Sequence, residues 1–109
     1  RGTTSRLITR SLREAGTREI HMGISSPPIV SPCYYGIDTP RAEELLANQN
    51  STEEIRKFLD VDSLHHLSRE GMLTAAGGGD PDGYCTACFT KVYPTPVSDY
   101  QKPDPAKAL

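Results

Sequence analysis

The sequence predicts an α/β fold, and three features predict it. A helical repeat, with Ile8, Leu12 and Ala15 on one face and Arg6, Arg10 and Arg13 on another, runs to a stop at Gly16. Ile20, Met22 and Ile24 then alternate with His21 and Gly23, the period of a strand with one buried face. Further on, Ser51 and Glu54 are spaced as a capping box ahead of the stripe Ile55, Phe58 and Leu59, which marks another helix.

The remaining elements follow in order. A pattern that opens on a loop and a helix lacks the strand such a unit carries in front, so a truncated start is expected. Ser25-Ser26-Pro27-Pro28 ends the strand, because proline cannot donate to a ladder. The stretch from Val30 to Asp38 is rich in turn formers and stays unassigned. Thr39-Pro40 reads as a cap with proline at the first helical position, followed by Glu43 and Glu44 near the positive end of the dipole and by Leu45 and Leu46 as core contacts. After the capped helix, Leu64 and Leu67 belong to a brief extended or turn segment. Ser68 caps a last helix through Met72, Leu73 and Ala76, which Gly77-Gly78-Gly79 terminates. Asp80 to Tyr84 is turn chemistry, Cys85-Thr86-Ala87-Cys88-Phe89 is compact, and Pro94, Pro96, Pro103 and Pro105 punctuate a polar tail. One domain over residues 1–94 and an extended or disordered tail over 95–109 are expected.

Composition narrows the function. With 109 residues, 36% of them apolar and no Trp, the chain supports a thin core and needs another source of stability. A net charge of -2 and a pI near 5.9 give no electrostatic ground for nucleic acid or an anionic membrane. Arg6, Arg10, Arg13 and Arg18 have no interleaved aromatics and form a solvated face. No apolar run approaches the roughly 18 residues of a membrane span. Three cysteines, an odd number, fit a reducing compartment better than a disulfide framework, so a cytoplasmic location is expected.

Two groups of residues carry chemistry. Gly2 permits close backbone approach, Thr3, Thr4 and Ser5 add hydroxyl donors at a helix amino terminus, and Arg1 adds a charged one, a combination suited to phosphate. The same residues also make an ordinary N-cap. Cys85 and Cys88 form a C-x-x-C, with Cys33 far off in sequence. Structural zinc, an iron–sulfur cluster, a redox pair and unligated cysteines are all compatible with that spacing. No strand-then-helix pattern favours the redox pair. Zinc would need a fourth ligand from His21, His65 or His66, which read more simply as exposed strand and turn residues. The pairs Glu43-Glu44 and Glu53-Glu54 sit in first helical turns and are explained by capping.

Arg1-Gly2-Thr3-Thr4-Ser5 resembles the second half of the phosphoribosyl pyrophosphate motif of type I phosphoribosyltransferases, whose acidic half precedes the loop and is absent from this chain. The resemblance runs on through Ile24-Ser25-Ser26-Pro27-Pro28, Cys33-Tyr34-Tyr35-Gly36-Ile37-Asp38-Thr39-Pro40, Glu43-Glu44-Leu45, Glu53-Glu54-Ile55-Arg56, Asp62-Ser63-Leu64 and Cys85-Thr86-Ala87-Cys88-Phe89-Thr90. In that order the blocks resemble the glutamine phosphoribosylpyrophosphate amidotransferases, iron–sulfur branch, from Arg1 to about Pro94. Lys91-Val92 stands where that family usually has a glycine before its Tyr-Pro, and Gly23 where a basic residue is common.

The resemblance implies the carboxyl-terminal part of a type I phosphoribosyltransferase fold, with added helices and a cysteine-bearing carboxyl-terminal loop. It implies that Arg1, Gly2, Thr3, Thr4 and Ser5 bind the 5-phosphate of phosphoribosyl pyrophosphate or of an inhibiting purine nucleotide. Mg²⁺ would accompany the substrate on ligands mainly outside this chain. Cys33, Cys85 and Cys88 would be three of four ligands to a 4Fe-4S cluster, the fourth lying upstream. The implied activity is transfer of glutamine-derived ammonia to phosphoribosyl pyrophosphate, giving 5-phosphoribosylamine. No catalytic residue is assigned to this chain, which is expected to be inactive without its amino-terminal glutaminase domain and to assemble as a homo-oligomer. A metal-stabilised structural or binding module without activity is the alternative.

Overall fold

The computed structural model describes residues 2–97. Helix α1 (Thr3–Glu14) ends at Gly16, whose φ of +92° lets the chain reverse into strand β1 (His21–Ile24). A loop leads to a 3₁₀ turn (Ala42–Glu44), then α2 (Leu46–Gln49), α3 (Thr52–Leu59) and β2 (Ser63–His66). Strands β1 and β2 pair in parallel, with Met22 opposite Leu64 and Ile24 opposite His66. Parallel partners need a crossover, and α2 with α3 supplies it. Beyond β2 lie α4 (Arg69–Ala75), a second 3₁₀ turn (Pro81–Gly83) and the short α5 (Ala87–Thr90). This is an α/β arrangement with a two-stranded sheet among the described residues.

The core is small and sits between α3 and the sheet. Ile20, Ile55, Leu59, Val61 and Leu64 are buried, and Met22, Ile24, Leu46, Ala47 and Phe58 pack around them half-buried. Alternation along β1 therefore reads as its sequence predicts. The capping box forms: the Ser51 N–H donates to the Glu54 carboxylate (2.7 Å) and the Glu54 N–H donates to Ser51 Oγ (3.2 Å). Asp60, left-handed at φ +56°, turns the chain from α3 into Val61 and β2. Ser68 accepts from the Gly71 N–H (3.0 Å) and starts α4. No helix of the described residues is long and apolar enough to cross a membrane.

Two elements differ from the sequence pattern. Helix α1 does not bury its apolar face: Leu7, Ile8 and Leu12 are exposed, at 65%, 55% and 42%, while Thr9 is its buried residue. Thr9 Oγ1 reaches the Leu59 carbonyl at the end of α3 (2.7 Å), a polar anchor that hydrophobic periodicity cannot reveal. Thr39-Pro40, expected to cap a helix, lies in loop instead. Thr39 Oγ1 is taken by the Cys33 N–H (2.8 Å), and the helical turn starts at Arg41, whose N–H donates to the Glu44 carboxylate (3.1 Å). Most of the tail assigned to 95–109 lies outside the described residues.

Candidate functional site

The first candidate is the start of α1. Gly2 occupies the N-cap position at φ +76°, a conformation that costs other residues about 1 to 2 kcal/mol. A Cβ there would press on Leu46 Cδ1 and come within 3.3 Å of Phe58 Cε1. The left-handed backbone calls for glycine, whereas the end of the Leu46 side chain could turn aside. The Gly2 carbonyl accepts the Arg6 N–H (2.9 Å), the first bond of the helix. The N–H groups of Thr3, Thr4 and Ser5 have no intrahelical acceptor, as at any helix start, and form the positive end of a twelve-residue dipole.

Gly2, Thr3, Thr4, Ser5 and Pro40 line a shallow cleft of about 360 Å³ over these donors. Four of the five residues expected to hold phosphate are thereby brought together; Arg1 lies outside the described residues. Arg6 is not a substitute, because its guanidinium stacks 4.8 Å from the centre of the Phe58 ring. A second cleft of about 390 Å³ shares Gly2, Ser5 and Pro40 with the first. It runs between Met22, Ile24 and Leu46 to His66 at the carboxyl end of β2. Burial there lowers the pKa of the His66 imidazole, favouring its neutral form.

The second candidate is the cysteine-bearing corner. Cys33, from the loop after β1, and Cys85 and Cys88, flanking the start of α5, line a single cavity of about 450 Å³. Its other walls are mostly apolar and include Ile29, Tyr35, Ile37, Ala87, Tyr93 and Pro94. All three thiols are free of disulfides. Burial pushes the Cys88 thiol up, and the neighbouring Cys33 and Cys85 push it further by opposing another negative charge. A raised thiol of this kind makes Cys88 a poor candidate for an activated nucleophile.

Among the described residues, no three His, Cys, Asp or Glu side chains are grouped as a site for a single metal ion. The three cysteines nonetheless line one largely apolar space. No histidine lines that cavity. His21 instead bonds Ser63 Oγ through Nδ1 (2.8 Å) and Glu19 through Nε2 (3.2 Å), and His66 lines the cleft beside Gly2. Glu43, Glu44, Glu53 and Glu54 lie in first turns, where Glu44 and Glu54 cap and Glu53 pairs with Arg56 (2.8 Å).

Sequence reasoning missed the tyrosines of this corner. Tyr93 packs its ring 5.1 Å from Tyr34 and 6.2 Å from Tyr35. They meet only in the fold, so no spacing announces them.

No family model matches the chain. Amidophosphoribosyltransferases do match: that of a Synechocystis species is 52% identical over 99 residues, covering 91% of this chain and 20% of that protein. The Bacillus subtilis amidophosphoribosyltransferase is 54% identical over 100 residues, 89% of this chain and 21% of that protein. Among solved structures, an allosteric regulatory enzyme of purine biosynthesis superposes with a TM-score of 0.82 at 51% identity, over 91% of this chain and 22% of its own. A glutamine phosphoribosylpyrophosphate amidotransferase from B. subtilis, complexed with ADP and GMP, gives 0.81 at 51% identity, over 90% and 22%. The chain spans about a fifth of the length of these relatives.

Proposed function

We propose, from the chain's similarity to amidophosphoribosyltransferases, that it is part of a member of that family and that the whole protein transfers glutamine-derived ammonia to phosphoribosyl pyrophosphate in purine synthesis. The supporting observation is identity of 51–54% over about nine-tenths of the chain, in a common fold. The residues described here would bind and position rather than break bonds.

The N–H groups and hydroxyls of Thr3, Thr4 and Ser5 hold the 5-phosphate, with Arg1 beside it. Fixing that end of the substrate orients the ribose for attack at its anomeric carbon, and such orientation supplies up to roughly 7 to 11 kcal/mol in favourable cases. Mg²⁺, when bound with substrate, supplies charge stabilisation to the leaving pyrophosphate. The same cradle accepts the phosphate of a purine nucleotide, which makes competition between nucleotide and substrate the expected form of inhibition. No group in residues 2–97 is assigned to attack or proton transfer, so the 109-residue chain alone is inactive and depends on a glutaminase domain elsewhere in the protein. The whole protein is placed in the cytoplasm as a homo-oligomer.

Cys33, Cys85 and Cys88 would hold a 4Fe-4S cluster with a fourth ligand from outside this chain. Thiolate ligation ties the carboxyl-terminal loop to the loop after β1, and so adds the stability that the small core lacks.

The test uses the whole protein purified without oxygen. Release of pyrophosphate must require both glutamine and phosphoribosyl pyrophosphate, and Thr4→Val should raise KM for the latter about tenfold, the loss of one or two charge-assisted bonds. Iron and acid-labile sulfide should be present in wild type and fall in Cys85→Ser. Absence of pyrophosphate release would overturn the activity; zinc in place of iron would overturn the cluster.

A further inference from the structure

Cys33 and Cys88 are separated by more than half of the described chain, yet their segments are joined by contacts that do not pass through sulfur. The N–H groups of Val30 and Ser31 both donate to the Cys88 carbonyl, at 2.9 and 3.1 Å. Tyr93, just past α5, donates its hydroxyl to the Pro32 carbonyl (2.6 Å). That hydroxyl has one proton, so its bond with Ser31 Oγ is one in which Ser31 donates. Ser31 is buried, and the Tyr93 ring is flanked by Tyr34 and Tyr35. Tyr35 completes the ties: its hydroxyl bonds Thr95 Oγ1 (2.9 Å), and its own N–H donates to Cys33 Sγ (3.3 Å).

A metal group that captures thiols from two loose loops must offset the entropy of ordering both. Loops already held together spare most of that cost. We propose that Tyr93 is a positioning residue for the thiol site: its hydroxyl clamps the Cys85–Cys88 loop against the Cys33 segment, so that the site is formed before the cluster arrives. The proposal rests on the reading of the three cysteines as cluster ligands. Removing the hydroxyl leaves the buried Ser31 hydroxyl and Pro32 carbonyl without this partner, and the two backbone bonds to Cys88 lose their brace.

The experiment compares wild type with Tyr93→Phe, Tyr93→Leu and Ser31→Ala in the whole protein. Iron is stripped with a chelator under reductant. Hydrogen exchange is then followed in the peptide containing Val30 and Ser31, and reconstitution with ferrous iron and sulfide is followed by visible absorption. Tyr93→Phe should exchange and reconstitute with rates changed about tenfold, faster and slower respectively, at unchanged far-ultraviolet dichroism. Tyr93→Leu, which also loses the ring contacts, should be worse, and Ser31→Ala milder in the same direction. Should the Tyr93 variants fail to fold, Ser31→Ala decides, because it removes one partner and little volume.

Variants that match wild type in exchange and in reconstitution rate overturn the positioning role alone. A wild type that takes up no iron and sulfide overturns the ligand reading and, with it, any role of Tyr93 toward a cluster.

Discussion

At the scale of single residues, polarity and the lack of a side chain matter as much as apolar bulk. Thr9 is 1% exposed on a helix whose leucines face outward, and its hydroxyl meets both the Arg6 and the Leu59 carbonyls. Replacing it with valine keeps the volume but leaves Leu59 without that donor, so Thr9→Val should destabilise by about 1 to 3 kcal/mol in urea titration. Gly2→Ala should be costly chiefly through its left-handed backbone, with a smaller cost for turning the Leu46 side chain aside. We expect a loss of about 1 to 2 kcal/mol from the backbone alone, together with weaker phosphoribosyl pyrophosphate binding by calorimetry. A Leu46→Ala background relieves the clash but not the φ, so it should recover only part of the loss. The sequence marked Gly2 as the start of a helix, but its packing against Leu46 and Phe58 lies too far off in sequence to be read there. Thr9 was not legible, because a buried threonine has the same sequence signature as an exposed one.

Among the elements, α3 is the one most fully written in local sequence. Its box, stripe and left-handed stop lie within one short segment, and all of them form. Ser51→Ala should therefore cost about 1 kcal/mol, seen as a lowered midpoint of thermal unfolding. Asp62 joins three elements: its carboxylate accepts the Ile20 N–H (2.7 Å) and the Arg13 guanidinium (2.7 Å), which ties α1 and β1 to the turn before β2. First the Ile20 N–H, then Arg13, holds its pKa below the usual carboxylate value of 3.8. A carboxylate lowered on folding stabilises the native state above its unfolded pKa, and that contribution disappears as pH falls through the lowered native value. Asp62→Asn should therefore flatten the acid limb of the stability profile below about pH 4, with little change in its slope near neutrality. The misread loop shows where local reasoning stops. Thr39-Pro40 has the composition of a cap, but the Thr39 hydroxyl is claimed by the Cys33 backbone, and Arg41 starts the helical turn instead.

For the whole molecule, the α/β class followed from the helix and strand patterns, and the solved structures share the fold; the parallel pairing of β1 with β2 did not, because the residues of β2 read only as a brief extended or turn segment. Meeting of the cysteines could be expected only through family resemblance, since the path from Cys33 to Cys85 crosses both helices of the crossover, β2 and α4. The three cysteines line one cavity, but among the described residues no three ligating side chains are grouped for a metal ion. Under the proposed ligation, removing the cluster from the whole protein should loosen the corner around Cys33 and Cys88 before the sheet. Limited proteolysis should then cut near the glycine run at Gly77 to Gly79 or in the loop before Cys85 while β1 and β2 remain intact.

The parallel match of Ile20 through Ile24 with Asp62 through Leu67 also has a kinetic corollary. No hairpin can zip these strands together, so their pairing waits until the intervening chain exists and has coiled. During synthesis β1 leaves the ribosome well ahead of its mate, with Ile20, Met22 and Ile24 uncovered in the interval. Rare codons between the two strands would prolong that wait, and such pauses should raise the share of newly made protein captured by chaperones.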